Sequence, residues 1–124
     1  MRSALGSSGA ALLVAVMLVS VGNAAAAQRA AKPINPASDK LEKLAPAERA
    51  GLLARSVGHW CIGTETFLMG LVTAGTGKGN AYWSLRCADG SAWAIQIDPL
   101  AEITAIDCDT YKANGAGKEC FKKF

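Results

Sequence analysis

Four cysteines and one histidine carry most of the reactive chemistry available to this chain: Cys61, Cys87, Cys108, Cys120 and His59. Thiols of this number serve as metal ligands, redox couples, nucleophiles or paired disulfides. No C-x-x-C pair occurs, which argues against a thioredoxin-like redox role. His59-Trp60-Cys61 places two ligand types side by side, but no second pair stands at zinc-type spacing. A histidine-activated nucleophile is also unsupported, since nothing resembles a G-x-S-x-G elbow. His59 fits better near a helix C-terminus, where partial positive charge is favourable. Disulfides remain, and the expectation is a non-enzymatic chain with no catalytic residues, no metal ligands and no cofactor.

Two further stretches imitate functional motifs. Gly75-Thr76-Gly77-Lys78-Gly79 looks like a phosphate loop, yet Lys78 is followed by Gly79 where Ser or Thr opening a helix is required. Asp107-Cys108-Asp109 starts like a calcium loop, but Lys112 stands where its glycine belongs and Lys118 where its glutamate belongs. Glu65, Asp98, Glu102 and Glu119 are not placed in pairs by any spacing.

The compartment follows from the first 27 residues. Arg2 precedes an apolar run, Ala10–Val21, and Ala25 and Ala27 occupy the −3 and −1 positions of a signal-peptidase site. Cleavage near Ala27 predicts a periplasmic or secreted protein, 97 residues from Gln28 to Phe124, with no membrane attachment thereafter. An oxidising destination permits disulfides. The net charge of +3 includes Arg2, so the mature form carries +2. Spread over scattered lysines and arginines, that is no nucleic-acid footprint. Residues 28–45, with Pro33 and Pro36, read as a flexible linker, and 46–124 as one small domain. Within the linker Ser38 suggests an N-cap for a short turn carrying Leu41 and Leu44.

Pro46 can open a helix. Ala50, Leu53, Val57 and Trp60 then follow at the spacing of one buried stripe, and Gly58 is the stop. Beyond Cys61 the period becomes two. Ala81, Trp83, Leu85 and Cys87 share one face of a strand, with Tyr82, Ser84 and Arg86 on the other. Asp89-Gly90 marks a hairpin into Ala92–Asp98. Thr66–Thr73 and Ile103–Cys108 complete four strands, and Asp109–Asn114 suggests a last helical turn. The predicted fold is α+β: one N-terminal amphipathic helix packed on a four-stranded antiparallel β-meander, with two disulfides.

Strand register selects the pairing: the Asp89-Gly90 turn sets Cys87 opposite Ala92, and the turn around Pro99–Leu100 sets Ala92 roughly opposite Cys108. Cys87 and Cys108 fall two strands apart, about 9–10 Å, beyond the roughly 7 Å that a disulfide spans. Antiparallel pairing of the first two strands brings Cys61 to the end where Cys87 sits. The expected bonds are Cys61–Cys87 and Cys108–Cys120.

Trp60, Trp83 and Trp93 all fall on inward phases and are expected in the core. Tyr82 and Arg86 fall on the opposite face, and such side chains on a rigid sheet are common contact anchors. With Lys78 of the glycine-rich loop they form the candidate binding set. His59-Trp60-Cys61-Ile62-Gly63, Ala81-Tyr82-Trp83-Ser84-Leu85-Arg86-Cys87-Ala88-Asp89-Gly90 and Glu119-Cys120-Phe121-Lys122 resemble segments of small exported bacterial proteins of unassigned function. That resemblance spans Pro46 to Phe124, implies a single exported domain and brings no catalytic residue. The function expected is a protein-binding or accessory module for an unknown protein partner, acting through an open sheet face. The alternative is a small-ligand or metal binder using a pocket between helix and sheet around Trp60 and His59.

Overall fold

A computed structural model describes residues 32–115 and 117–124. The expected export leader and the first residues of the expected linker lie outside them. Lys32–Phe124 is one compact unit. In chain order it runs α1 (Pro36–Glu42), α2 (Pro46–Val57), β1 (Gly63–Leu71), β2 (Ala81–Cys87), β3 (Ala92–Ile97), β4 (Ile103–Asp107) and α3 (Cys108–Asn114). The strands form one antiparallel sheet in the order β1-β2-β3-β4. The fold is α+β.

Three helices are present among the described residues: α2 is the expected amphipathic helix, and α1 and α3 stand where short turns were expected, near Ser38 and at Asp109–Asn114. Pro36, read as part of a linker, instead occupies the first turn of α1, where its fixed φ suits a helix and its missing N–H costs nothing. The N-cap is Asn35, not Ser38: the Asn35 side chain accepts from Ser38 N at 3.0 Å. Ser38 is buried and accepts from Trp83 Nε1 at 2.9 Å. A polar N-terminal segment is thereby tied into the core by satisfied hydrogen bonds.

α2 buries Ala50, Leu53 and Ala54, the last two in one cluster with Trp83, Leu85, Ile95 and Ile97 of the sheet, and each large apolar side chain so buried contributes roughly 1.5–3 kcal/mol. Register follows the hydrophobic alternation. Thr66 pairs with Leu85 and Leu68 with Trp83; Leu85 pairs with Trp93, and Trp93 with Asp107. β1 is interrupted by irregularities between Gly63 and Glu65 and between Leu68 and Gly70.

Both expected disulfides are present. Cys61–Cys87 joins the loop after α2 to the end of β2, with Cα atoms 5.2 Å apart. Cys108–Cys120 joins the start of α3 to the C-terminal segment, 5.8 Å apart. No cysteine of the described residues is free.

The second face of the sheet is not open. Tyr111 of α3, Met69 and Ala94 form a second apolar cluster, joined by Phe67, Tyr82, Ile106 and Cys120. The last residues lie across it: Phe121 N donates to Ser84 Oγ at 2.8 Å and Phe124 N to Met69 O at 3.3 Å. The sheet is thus covered on both faces, by α1 and α2 on one and by α3 with its tail on the other.

Candidate interaction surface

The three residues expected to bind do not come together. Tyr82 is half-buried, its hydroxyl donating to Gln96 Oε1 at 2.9 Å. Its ring lies 5.9 Å from that of Tyr111 and 5.8 Å from that of Phe124. Arg86 is also partly covered: it pairs with Glu65 at 3.3 Å and lies 4.7 Å over the Phe121 ring. Lys78 is exposed in the β1–β2 connection, at the opposite end of β2 from Arg86. The alternation of β2 correctly separated two faces, but an outward phase does not mean solvent when another segment packs there.

The most exposed aromatic chemistry sits elsewhere. Trp60, expected in the core, is 56% exposed, and Ile62 is 69% exposed. The helical stripe that includes Trp60 is broken because α2 ends at Val57 with Gly58 as its cap. Beyond that point the 3.6-residue phase no longer applies.

The loop between α2 and β1 is held at several points. Cys61 N donates to Gly58 O at 3.2 Å and Ala88 N to Ile62 O at 2.8 Å. The Cys61–Cys87 bond fixes its centre. Gly63 closes its far end: a Cβ there would meet Ala50 O at 2.4 Å, so only glycine lets β1 start this close to α2.

Trp60 rests against Trp93 with ring centroids 6.0 Å apart and planes tilted by 59°. Tilted aromatic pairs at this separation are favourable by about 0.5–1.5 kcal/mol beyond their buried area. Trp93 is itself positioned by the hairpin. Its Nε1 donates to Ser91 Oγ at 3.2 Å, and Ser91 Oγ donates to Asp89 Oδ1 at 2.7 Å. Those Ser91 bonds, from the hydroxyl first and from the backbone N–H second, hold the Asp89 carboxyl below its usual range. The disulfide, the hairpin and the helix end together make a rigid platform that presents Trp60 and Ile62 to solvent.

A groove of about 440 Å³ runs beside it, lined by Ala47, Gly51, Ala54 and Gly63 with Arg55 and His59 at its polar positions. This is the place expected for a pocket between helix and sheet, although Trp60 does not line it. No group of three or more His, Cys, Asp or Glu side chains able to hold a metal ion occurs among the described residues.

Comparison with protein-family models, with curated proteins and with solved structures finds no match.

Proposed function

We propose that this chain is an exported, non-enzymatic protein-binding module that engages its partner through the Trp60–Ile62 loop. The observation that carries this reading is the exposure of Trp60 on a loop pinned by a disulfide. Isolated apolar side chains on a surface are ordinary, but contiguous ones mark contact sites. Tryptophan is the residue type that most often dominates binding energy when truncated, especially when it fills a partner's pocket. A loop that is already rigid loses little conformational freedom on association, so more of the contact energy appears as affinity. The partner this surface fits is a protein with an apolar cleft able to take an indole ring and the neighbouring Ile62.

Export is supported by the leader's sequence and by the two disulfides, which persist in oxidising compartments. No helix among the described residues is long and apolar enough to cross a membrane. The binding surface proposed here replaces the open sheet face expected from the strand pattern, because that face is covered.

Trp60→Ala is the direct test. Retention of a specific protein from periplasmic or culture extract should fall at least tenfold relative to the unsubstituted chain, while the fold persists with a stability loss of about 0.5–1.5 kcal/mol from the Trp60–Trp93 contact. Equal retention by the two forms contradicts the proposal. A second reading rests on the groove beside the loop, where Arg55 and His59 could meet a small polar ligand. Native mass spectrometry separates the two: a small bound mass favours the groove, and a co-eluting protein favours the loop.

A further inference from the structure

The two disulfides differ in their surroundings. Cys61 and Cys87 are buried, 7% and 2% exposed, under the helix layer. Cys108 and Cys120 are both half-buried, at the rim of the opposite face. An external thiol can reach the second pair while the first is sheltered by the core.

The second bond leads into residues Phe121–Phe124. They are anchored by two backbone donors, Phe121 N to Ser84 Oγ and Phe124 N to Met69 O. The rings of Phe121 and Phe124 rest on Phe67 and Tyr82. Lys122 and Lys123 between these anchors are exposed. Phe121 is held at φ 59, the left-handed region that is unfavourable for a residue with a Cβ. α3 has seven residues, too few for a helix to persist without tertiary support. The covalent link therefore carries much of the ordering that this segment requires.

We propose that Cys108–Cys120 is a latch open to exchange with dithiols, and that its reduction frees the Cys120–Phe124 strap and bares the face of the sheet beneath it. One thiolate of the dithiol attacks Cys108 Sγ and forms a mixed disulfide. The Cys108–Cys120 bond breaks, and its electron pair leaves on Cys120 Sγ. The second thiolate of the dithiol then closes that reagent's own disulfide and releases Cys108, protonated from solvent. The protein gains two electrons and the dithiol loses two. Freed of the strap, Phe67, Met69, Tyr82 and Ser84 become accessible on a sheet still stapled by Cys61–Cys87.

The test is stepwise reduction of the full chain with dithiothreitol, quenched by N-ethylmaleimide and read by peptide mass, alongside amide hydrogen exchange. Cys108 and Cys120 should be alkylated at least tenfold sooner than Cys61 and Cys87. In that intermediate the amides of Phe121 and Phe124 should lose protection while those of Trp83 and Ile95 keep it. The double variant Cys108→Ser, Cys120→Ser should fold with Cys61–Cys87 intact and show the unprotected strap from the outset. Simultaneous opening of both bonds, earlier opening of Cys61–Cys87, or unchanged exchange at Phe121 and Phe124 after selective reduction would each overturn the latch. Failure of the double variant to fold would do so too, because it would make the bond a requirement of the whole fold.

Discussion

Asn35 and Ile97 stand 62 residues apart in the chain and are joined by a hydrogen bond of 2.8 Å from Asn35 Nδ2 to Ile97 O. The same Nδ2 donates to Gly79 O at 2.9 Å, while Oδ1 caps α1 through Ser38 N. One buried carboxamide thus ties α1, the β1–β2 connection and the end of β3 together.

Asn35→Ala is expected to destabilise the fold by about 2–4 kcal/mol. Loss of the cap accounts for about 1 kcal/mol, and leaving buried carbonyls without a donor adds roughly 1–3 kcal/mol. Asn35→Asp should be no better, because a carboxylate caps the helix but cannot donate to two carbonyls. Urea unfolding of the three forms checks both statements, and an aspartate variant as stable as the original chain would refute the two-carbonyl account.

Two glycines of the helix–strand layer should respond in opposite directions. Gly63→Ala forces a methyl to within 2.4 Å of the Ala50 backbone oxygen, so α2 must lift from β1, with an expected loss of about 2 kcal/mol or more, within the range of overpacking. At Gly51, in the interior of α2, an added Cβ meets nothing within 4 Å. Gly51→Ala should stabilise by about 0.5–1 kcal/mol through helix propensity. Thermal melts of the two variants give the signs directly.

Stability should fall on the acid side. Asp107 caps α3 by accepting from Thr110 N and Thr110 Oγ1, and those bonds hold its carboxyl below the ordinary 3.8. Glu119 is held below 4.5 by hydrogen bonds from Lys122 and then Lys112. A depressed folded pKa stabilises above the unfolded value and is lost as pH falls through the folded one. The decline should therefore begin near pH 4.5 and continue below 3.8, and Asp107→Asn should flatten part of it. Tyr111 acts in the opposite sense. Burial, reinforced by Tyr82, raises its hydroxyl above 10.0, so its contribution is complete below pH 10 and lost as pH rises through the raised value. Melting temperatures from pH 2.5 to 11 trace both limbs.

Cys61→Ser with Cys87→Ser should cost roughly 3–4 kcal/mol, from the 26-residue separation that the bond closes. It should also lower the protection of the Ile62–Ala88 contact. An unchanged melting temperature would remove the bond from the stability account.

Much of the sheet was legible in the chain. The alternation of β2 gives its bounds, Ala81–Cys87, and the register drawn from the Asp89-Gly90 turn selects the two disulfides that form. That turn nonetheless pairs Arg86 with Ala92, one residue from the pairing its sequence suggests. Other features were hidden for physical reasons. Pro36 is equally at home in a linker and in a first helical turn, and only the distant carbonyls of Gly79 and Ile97 decide between them. Ser84 reads as a solvent-facing strand residue until Phe121, 37 residues away, donates to it. Trp60 reads as core because a helical phase was carried past Gly58, where the helix stops. Each difference lies in a long-range contact or an element end, where local periodicity carries little information.

The most direct test of the binding surface places a photo-crosslinking side chain at position 62, with Trp60 left in place, and, as a control, at position 100, where Leu100 is 84% exposed on the β3–β4 turn. In the native host the account predicts one dominant protein adduct from position 62 and none above background from position 100. Adducts of equal yield from both positions, or none from position 62, would contradict it.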